Sequence, residues 1–412
     1  MDRFSRTRCQ ANWIILVAHA ALRTSALAAR ARRACTSASD GRRHAALRPI
    51  EALPTLPMST PHDTAPESTV DPNAAADPDA GLFGLDHGFD EAELIVTGAP
   101  FDATCSFRRG AAGGPAAIME ASHQVELFCP VAGEPWKRGI HMQALDPAFE
   151  AWNAEARTLA DQVIATGGRT DGDPELQAAL ARVNAISAEV DARIAAQVAG
   201  VLDAGKRSLL LGGDHSTALG SIRAHAARHE ELGILHLDAH ADLRVAFEGF
   251  ERSHASVLYN ALDAQCAPEL GPAEHITSLV QVGLRDLCPA EVALIDEDPR
   301  IHAVYDHDWS GARARGKNLL KAIRKAIARL PEHVYVSVDI DGLDPSLCPH
   351  TGTPVPGGLQ WHETWMWLAE LRDSGRTVVG ADLVEVAPGE PGKDLDTVVA
   401  ARLAWRLLGV LS

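Results

Sequence analysis

The chain has 412 residues, with 38 Lys and Arg against 55 Asp and Glu, and its formal net charge is −17. This acidity argues against nucleic acid or an anionic membrane as a partner, and no apolar run is long enough to span a bilayer. The seven cysteines are scattered, odd in number and never spaced as Cys-x-x-Cys, which favours reduced thiols in a cytoplasmic protein over a disulfide framework.

The first segment, residues 1–57, differs in composition from the rest of the chain. It contains ten arginines, no lysine and three acids, a local charge of +7. A secretory signal around the apolar run 13–22 and an organelle transit peptide are both open interpretations. A third interpretation is favoured, in which Met58 is the true start and the upstream residues come from a misassigned start codon. We expect a disordered polar tail over 58–90 and one folded domain over 91–412.

Apolar strand-like runs alternate with helical stretches along the folded part. The predicted strands are 94–96, 208–211, 234–237, 280–282, 334–338 and 377–379. The clearest predicted helices are 177–204, 316–329 and 397–408. This alternation is typical of βαβ units and a parallel sheet. Residues 146–204 are interpreted as a helical insertion, broken by glycines and located at a subunit contact.

Polar residues with metal-ligand chemistry follow three of the predicted strands. They are His215, Asp238, His240, Asp242, Asp339 and Asp341. The carboxyl ends of parallel strands line a common crevice, and side chains two apart in extended backbone share a face. The sequence therefore predicts that these side chains converge.

So many carboxylates in one crevice require compensation, because mutual repulsion and desolvation would otherwise protonate some of them. A pair of bound cations removes this difficulty, and mixed carboxylate and imidazole ligands favour Mn²⁺ and its neighbours over a structural zinc. Each segment alone is more typical of a turn or a helix cap. Residues 339–350 also resemble a calcium loop faintly, but the glycine is misplaced and His350 stands where that loop needs Glu.

Three motifs resemble the signatures of the ureohydrolase family, which includes arginase and agmatinase. They are Gly-Gly-Asp-His-Ser at 212–216, Asp-Ala-His-Ala-Asp at 238–242, and Ser-Val-Asp-Ile-Asp-Gly-Leu-Asp-Pro at 337–345 followed by Gly-Thr-Pro at 352–354. The resemblance runs in order from about residue 94 to the C-terminus and is greatest to agmatinases. It implies a three-layer α/β/α sandwich with a mostly parallel central sheet.

The resemblance also implies a ligand assignment with two Mn²⁺ per subunit, although Ni²⁺ and Co²⁺ stay open. One ion is assigned to His215, Asp238, Asp242 and Asp339. The other is assigned to Asp238, His240, Asp339 and Asp341, so that Asp238 and Asp339 bridge. The family forms trimers or hexamers, which implies a homo-oligomer.

Four residues are assigned roles around this metal pair. By resemblance, Asp242 accepts a hydrogen bond from the attacking hydroxide, His254 shuttles protons, and Glu385 binds the substrate's guanidinium. Histidine suits a proton shuttle because its ordinary pKa lies near the working pH. Arg244 either forms a salt bridge with the carboxylate of a guanidino acid or is an exposed loop cation.

The predicted function is hydrolysis of agmatine or a guanidino acid to urea and an amine. Departures from the family pattern at 243–244, 255–256 and His350 affect the pocket wall and leave the substrate open. The alternatives are a guanidine or formimino-compound hydrolase of the same fold, and a catalytically silent, metal-bound partner subunit. A histone-deacetylase-like hydrolase with one zinc is disfavoured, because His240 and Asp341 complete a second metal site.

Overall fold

The structure, a computed structural model, describes residues 70–390 and 394–412, which belong to one compact unit. Eight parallel strands form one sheet in the order β2-β1-β3-β8-β7-β4-β5-β6. The strands are β1 Leu94–Ala99, β2 Ile140–Met142, β3 Arg207–Gly212, β4 Leu232–Leu237, β5 Ile276–Leu284, β6 Ile301–Tyr305, β7 His333–Asp339 and β8 Thr377–Val384.

Ten helices of four residues or more with α geometry lie in the described part of the chain. They are α1 Gly114–Ser122, α2 Pro147–Ile164, α3 Pro174–Asp203, α4 Ala218–Ala226, α5 Val257–Leu262, α6 Pro289–Glu297, α7 Asp306–Ala314, α8 Leu319–Ile327, α9 Trp361–Arg372 and α10 Leu395–Val410.

Helices cover both faces of the sheet, so the central strands are buried on both sides. Every residue of β1 and β4 is buried, which explains their continuous apolar runs. On one face, alternate strand residues pack against α1 and α7–α10 in the largest core cluster. On the other face, residues such as Leu210 and Ile234 pack against α2–α6. The predicted three-layer α/β/α sandwich with a parallel sheet is confirmed.

All six predicted strands are present, and within residues 70–390 and 394–412 the strands that sequence patterning missed are the two edge strands. β2 has three residues and β6 is mostly half-buried, so neither has the long apolar run that marked the others. The disordered tail predicted for 58–90 is wrong at Leu82, Phe83 and Leu85, which are buried in the core. The predictions for residues 1–57 and 58–69 lie outside the described residues.

The segment predicted as a helical insertion consists mainly of α2 and α3. Asp146 and Asp173 cap their N-termini by accepting backbone N–H bonds, and each is followed by a proline, which suits a first-turn position. Gly167 and Gly168 adopt positive φ after α2, a conformation that glycine takes without strain. Both helices pack on the sheet through the cluster around Phe149, so they belong to the outer layer. A role in subunit contact stays a prediction.

A buried histidine behind the sheet makes stability depend on pH. In α4, His225 donates its Nδ1–H to Ser221 O at 2.8 Å, and its ring lies 5.0 Å from the Tyr335 ring between centroids, tilted by 60°. Burial lowers the pKa of His225 to about 4. In the unfolded chain, histidine takes up a proton near pH 6.5. The stabilisation that neutral His225 gives the folded state is therefore fully present above pH 6.5, and about 3 kcal/mol of it is lost as the pH falls toward 4.

The variant His225→Leu lacks this titration. Urea unfolding of the metal-free protein at pH 7 and at pH 4 should show a smaller loss of unfolding free energy for His225→Leu than for the wild type. Equal losses would show that His225 is not neutral in the folded state.

Candidate metal centre and substrate cleft

The predicted ligands follow strands that are neighbours in the middle of the sheet. β3, β8, β7 and β4 lie side by side, and their carboxyl ends share one edge. His215 follows β3, Asp238 follows β4, Asp339 ends β7 and Glu385 follows β8. Sheet topology therefore brings together side chains that are up to 170 residues apart in sequence.

The turn that carries His215 is fixed by a close backbone approach. A Cβ on Gly213 would lie 1.9 Å from Phe101 O, so only glycine fits there. The next residue, Asp214, donates its N–H to the same carbonyl. Its buried carboxylate accepts hydrogen bonds from Ser216 N at 3.2 Å and from Thr104 Oγ1 at 2.8 Å. Asp214 thus anchors the turn, a role that sequence reasoning did not assign.

One group of ligands surrounds the ring of His215. Its Nδ1 lies 2.9 Å from Asp242 Oδ2, 3.1 Å from Asp238 Oδ2 and 3.4 Å from Asp339 Oδ2. All four side chains are buried. Three carboxylates and one imidazole therefore point toward a common centre.

A second group surrounds His240 and shares Asp238 with the first. His240 Nδ1 lies 3.1 Å from Asp341 Oδ2 and 3.5 Å from Asp238 Oδ1. Asp339 connects to this side as well, because its Oδ1 accepts the backbone N–H of Asp341 at 2.8 Å. The structure thus brings all six predicted ligands into two adjoining groups.

The unsatisfied atoms of these groups match the needs of bound cations. His215 Nδ1 and Asp238 Oδ2 are buried and make no hydrogen bond of acceptable geometry, although they lie close together. Burial, followed by the charge of Asp238, raises the pKa of Asp242 to about 6, and burial and Asp341 raise the pKa of Asp339 well above its usual range. Divalent cations would satisfy these atoms and keep the carboxylates ionised. The residues present therefore fit a metal pair.

A hydrogen-bonded chain behind His215 presents its Nδ1 to the carboxylates. Ser337 Oγ donates to Asp382 Oδ1 at 2.9 Å and lies 3.0 Å from His215 Nε2. Because Ser337 donates its hydroxyl proton to Asp382, its oxygen accepts the Nε2–H of His215. His215 Nδ1 therefore keeps its lone pair. Such second partners of a ligating histidine set its tautomer and raise its basicity. Sequence reasoning missed Asp382, which the β7–β8 register places beside Ser337.

A shallow, open cleft adjoins the ligand groups. Residues 105–108 from the loop after β1 line it together with His254, Gly352, Thr353 and Glu385. Thr353 Oγ1 donates to Asp341 Oδ2 at 3.3 Å, which connects the cleft wall to the ligands. The cleft therefore lies directly beside the second ligand group.

Glu385 is held rigidly at this cleft. Its Oε1 accepts the backbone N–H of His215 at 2.9 Å, its own N–H donates to Gly213 O at 2.8 Å, and its carbonyl accepts from Thr351 Oγ1. Burial, followed by the charge of Asp214, raises the pKa of Glu385 well above its usual range. A cationic group bound in the cleft would restore the ionised form.

Two residues at the site adopt left-handed backbone that disfavours side chains. Asp242 has φ 55° and Glu385 has φ 60°, which costs about 1–2 kcal/mol for each. Surrounding bonds impose this geometry, since Asp242 O accepts the N–H groups of Leu258 and Tyr259 at the start of α5. Such strain is concentrated at functional sites, where the position of a side chain matters more than local stability.

His254 lines the cleft, as its predicted shuttle role requires. Its backbone N–H donates to Thr104 Oγ1 at 3.1 Å, and its ring meets Phe247 edge-on at 5.9 Å between centroids. Burial, with a smaller contribution from His240, lowers the pKa of His254 to about 4. Its ring is therefore neutral at neutral pH and its buried Nδ1 has no hydrogen-bond partner.

Arg244 does not line the cleft. Its Nε lies 3.8 Å from Glu291 Oε2, and its guanidinium stacks over Phe247 at 4.8 Å from the ring centroid. The cation in the cleft wall is Arg108, to which no role was assigned from the sequence. Arg108 Nη1 donates to Pro349 O at 2.9 Å.

Comparison with known proteins settles the family. A model of the Arginase family matches residues 92–409. The chain belongs to the Arginase family. It is 33% identical over 340 residues to an N(1)-aminopropylagmatine ureohydrolase of Thermus thermophilus, covering 80% of this chain and 94% of the relative. An agmatinase of Bacillus anthracis is 29% identical over 78% of this chain and 92% of its own length.

Solved structures agree with this assignment. Arginase from Bacillus subtilis is similar with a TM-score of 0.58 and 27% identity, covering 77% of this chain and 98% of the arginase. The protein is a metal-dependent hydrolase that acts on C–N bonds of linear amidines, and the predicted family is confirmed. In residues 70–390 and 394–412, no helix is both long and apolar enough to cross a membrane.

Proposed function

We propose that this enzyme hydrolyses agmatine or an ω-guanidino acid to urea and an amine, with two Mn²⁺ ions per subunit. The observation that carries the proposal is the pair of ligand groups sharing Asp238 beside a cleft that contains Glu385. Similarity to an agmatinase and to an aminopropylagmatine ureohydrolase supports a guanidino substrate with an extended tail. The imidazole and carboxylate donors, without thiolate, support Mn²⁺.

The ions would be held by the six predicted ligands, with Asp238 and Asp339 between them. Bound there, a pair of divalent cations lowers the pKa of water enough to supply a nucleophile at neutral pH. Asp242 lies in the first ligand group, where its carboxylate can accept a hydrogen bond from the attacking water. The chain's other residues bind the substrate and move protons.

Glu385 binds the guanidinium in this proposal. One oxygen accepts the N–H of His215, and the other lies 3.9 Å from Cys105 Sγ and faces Gly352, where an added Cβ would lie 3.1 Å from Oε2. A guanidinium that donates N–H groups to this carboxylate gains the strength of a charge-assisted hydrogen bond and presents its carbon to water. Gly352 keeps the space beside Oε2 open.

His254 completes the reaction by transferring a proton. Water adds to the guanidino carbon, and the bond from carbon to the departing nitrogen breaks as that nitrogen takes a proton, which gives urea and an amine. A neutral ring in the cleft wall can accept a proton released by the water and return it to the departing nitrogen. His254 and Glu385 both line the cleft, which supports this role.

Substrate screening tests the proposal directly. Purified protein loaded with Mn²⁺ should release urea from agmatine, from 4-guanidinobutyrate or from 3-guanidinopropionate, with arginine and guanidine included for comparison. Urea from guanidine alone would favour the guanidine hydrolase alternative. No urea from any of these compounds, with two ions bound, would contradict the proposal and favour a silent partner subunit.

Arg108 should discriminate between tails of opposite charge. Its exposed guanidinium lines the cleft, and none of the described carboxylates forms an ion pair with it. In Arg108→Met, kcat/KM for agmatine relative to 4-guanidinobutyrate should rise about tenfold, because partly exposed charge pairs contribute roughly 1 kcal/mol or less each. N-butylguanidine, whose tail is neutral, reports any general damage, and an unchanged ratio would remove Arg108 from substrate selection.

We further propose a cytoplasmic homo-oligomer, a trimer or hexamer, as the family resemblance implies. Light scattering of the purified protein measures the number of subunits. A monomer at micromolar concentration would contradict this part of the proposal.

A further inference from the structure

His236 is the buried histidine that sequence reasoning left out of the metal centre. It lies on β4 two residues before Asp238, and its Nε2 is 2.8 Å from Asp238 Oδ2. Its ring centroid is 5.2 Å from that of His215. Position alone allows two roles, since an imidazole nitrogen can ligate a metal or donate a hydrogen bond to a ligand.

The neighbouring strand decides which nitrogen of His236 carries the proton. Gln281 pairs with His236 in the β4–β5 register, and its Nε2 lies 2.8 Å from Ala241 O and 3.1 Å from His236 Nδ1. A carbonyl oxygen only accepts, so the amide NH₂ of Gln281 must face Ala241 O. The second hydrogen of the same NH₂ is then directed at His236 Nδ1, which must accept it.

The proton of a neutral His236 ring therefore sits on Nε2 and faces Asp238. A protonated ring nitrogen has no lone pair for a metal, so His236 is a donor to the ligand. His215 shows the opposite arrangement, because Ser337 occupies its Nε2 and leaves Nδ1 free. The two adjacent rings thus offer the site one N–H group and one lone pair.

We infer that His236 is a positioning residue that orients Asp238, the carboxylate shared by both ligand groups, and that Gln281 sets its tautomer. Each oxygen of Asp238 faces one protein nitrogen: Oδ2 lies 2.8 Å from His236 Nε2, and Oδ1 accepts the backbone N–H of His240 at 2.6 Å. Each oxygen also faces one ligand group, Oδ2 toward His215 and Oδ1 toward His240 Nδ1. These two contacts orient the carboxylate so that each of its oxygens faces one ligand group. The expected effect of His236 on metal binding rests on the proposed metal pair, whereas its tautomer does not depend on that proposal.

Metal binding separates a positioning role from a ligand role. In His236→Leu, we expect two Mn²⁺ per subunit at saturation, as in the wild type, with affinity weakened about 10–100-fold, measured by titration in metal buffers with elemental analysis. Gln281→Met should also weaken Mn²⁺ binding, and it replaces His236→Leu in this test if that variant does not fold. His225→Leu is the matched control, since that buried histidine contacts Ser221 and Tyr335 and none of the proposed ligands, and its metal affinity should be unchanged.

Nitrogen NMR of the metal-free, ¹⁵N-histidine-labelled enzyme tests the tautomer itself. The resonances lost in His236→Leu should show a protonated Nε2 and an unprotonated Nδ1. The opposite tautomer, unchanged metal affinity in His236→Leu, or a fall from two ions to one at saturation would each overturn the inference. A wild type that binds no metal would instead refute the proposed function, while the NMR result would still decide the tautomer.

Discussion

Asp238→Asn should leave the enzyme without its metal pair and lower kcat/KM by about a thousandfold or more. Asp238 is the carboxylate that both ligand groups share, with one oxygen facing His215 and the other facing His240. An amide supplies no negative charge and only one oxygen, so neither group stays complete. The magnitude follows because metal-ion catalysis is worth several kcal/mol and each 1.36 kcal/mol is tenfold in rate. Elemental analysis and urea release measure the two effects together.

A matched substitution controls for the loss of a buried charge. Asp396 is also fully buried, but its carboxylate accepts hydrogen bonds from the backbone and ring of His350. Asp396→Asn should keep two ions per subunit. Asp339→Asn should behave like Asp238→Asn, since Asp339 contacts both groups. If Asp238→Asn kept both ions and full activity, the ligand assignment would be wrong.

Glu385→Gln should keep both metal ions and lose most of its activity. The substitution preserves shape and still accepts the N–H of His215, but it removes the negative charge that faces a guanidinium. Truncating one partner of a buried charged pair costs about 2–5 kcal/mol, which corresponds to a fall in kcat/KM of roughly 30-fold to several thousandfold. Steady-state urea release and metal content, measured on the same preparation, test this.

The control for this variant is another buried glutamate that binds a guanidinium within the chain. Glu363 receives two hydrogen bonds from Arg313 and lies outside the cleft. Glu363→Gln should leave kcat/KM within about threefold of the wild type, since a partly exposed pair contributes little. Wild-type kinetics in Glu385→Gln would refute the assigned guanidinium contact.

The central sheet and the metal ligands could be predicted from the sequence because both depend on local pattern. Strands buried on two faces read as continuous apolar runs, and all six such runs became strands. The ligands follow three of them directly, so spacing along the strand predicts which side chains share a face. The edge strands β2 and β6 lack this signal, since most of their residues are only half-buried.

The residues that position the ligands could not be predicted from local sequence pattern, because their contacts depend on which strands are neighbours in the sheet. Asp382 reaches Ser337 only through the β7–β8 register, and Gln281 reaches His236 only through the β4–β5 register. Alternation along β4 does carry a signal for His236, which shares a face with Asp238. That signal was available in the sequence and was missed.

The cleft wall was the least predictable part of the site. Arg244 follows Asp242 by two residues, yet the left-handed turn at Asp242 sends the chain toward α5, and Arg244 pairs with Glu291 instead. Arg108 comes from a loop more than a hundred residues earlier in the chain, and it lines the cleft with Glu385. Contacts between distant loops follow from tertiary packing, which a single sequence does not specify.

Anomalous diffraction from crystals of the Mn²⁺-loaded enzyme tests the metal pair most directly, because it gives both the number of ions and their position. Two peaks about 3.5–4 Å apart are expected, one beside His215 and the other beside His240, with Asp238 between them. No anomalous peak at these side chains, in protein loaded at saturating Mn²⁺, would contradict the account.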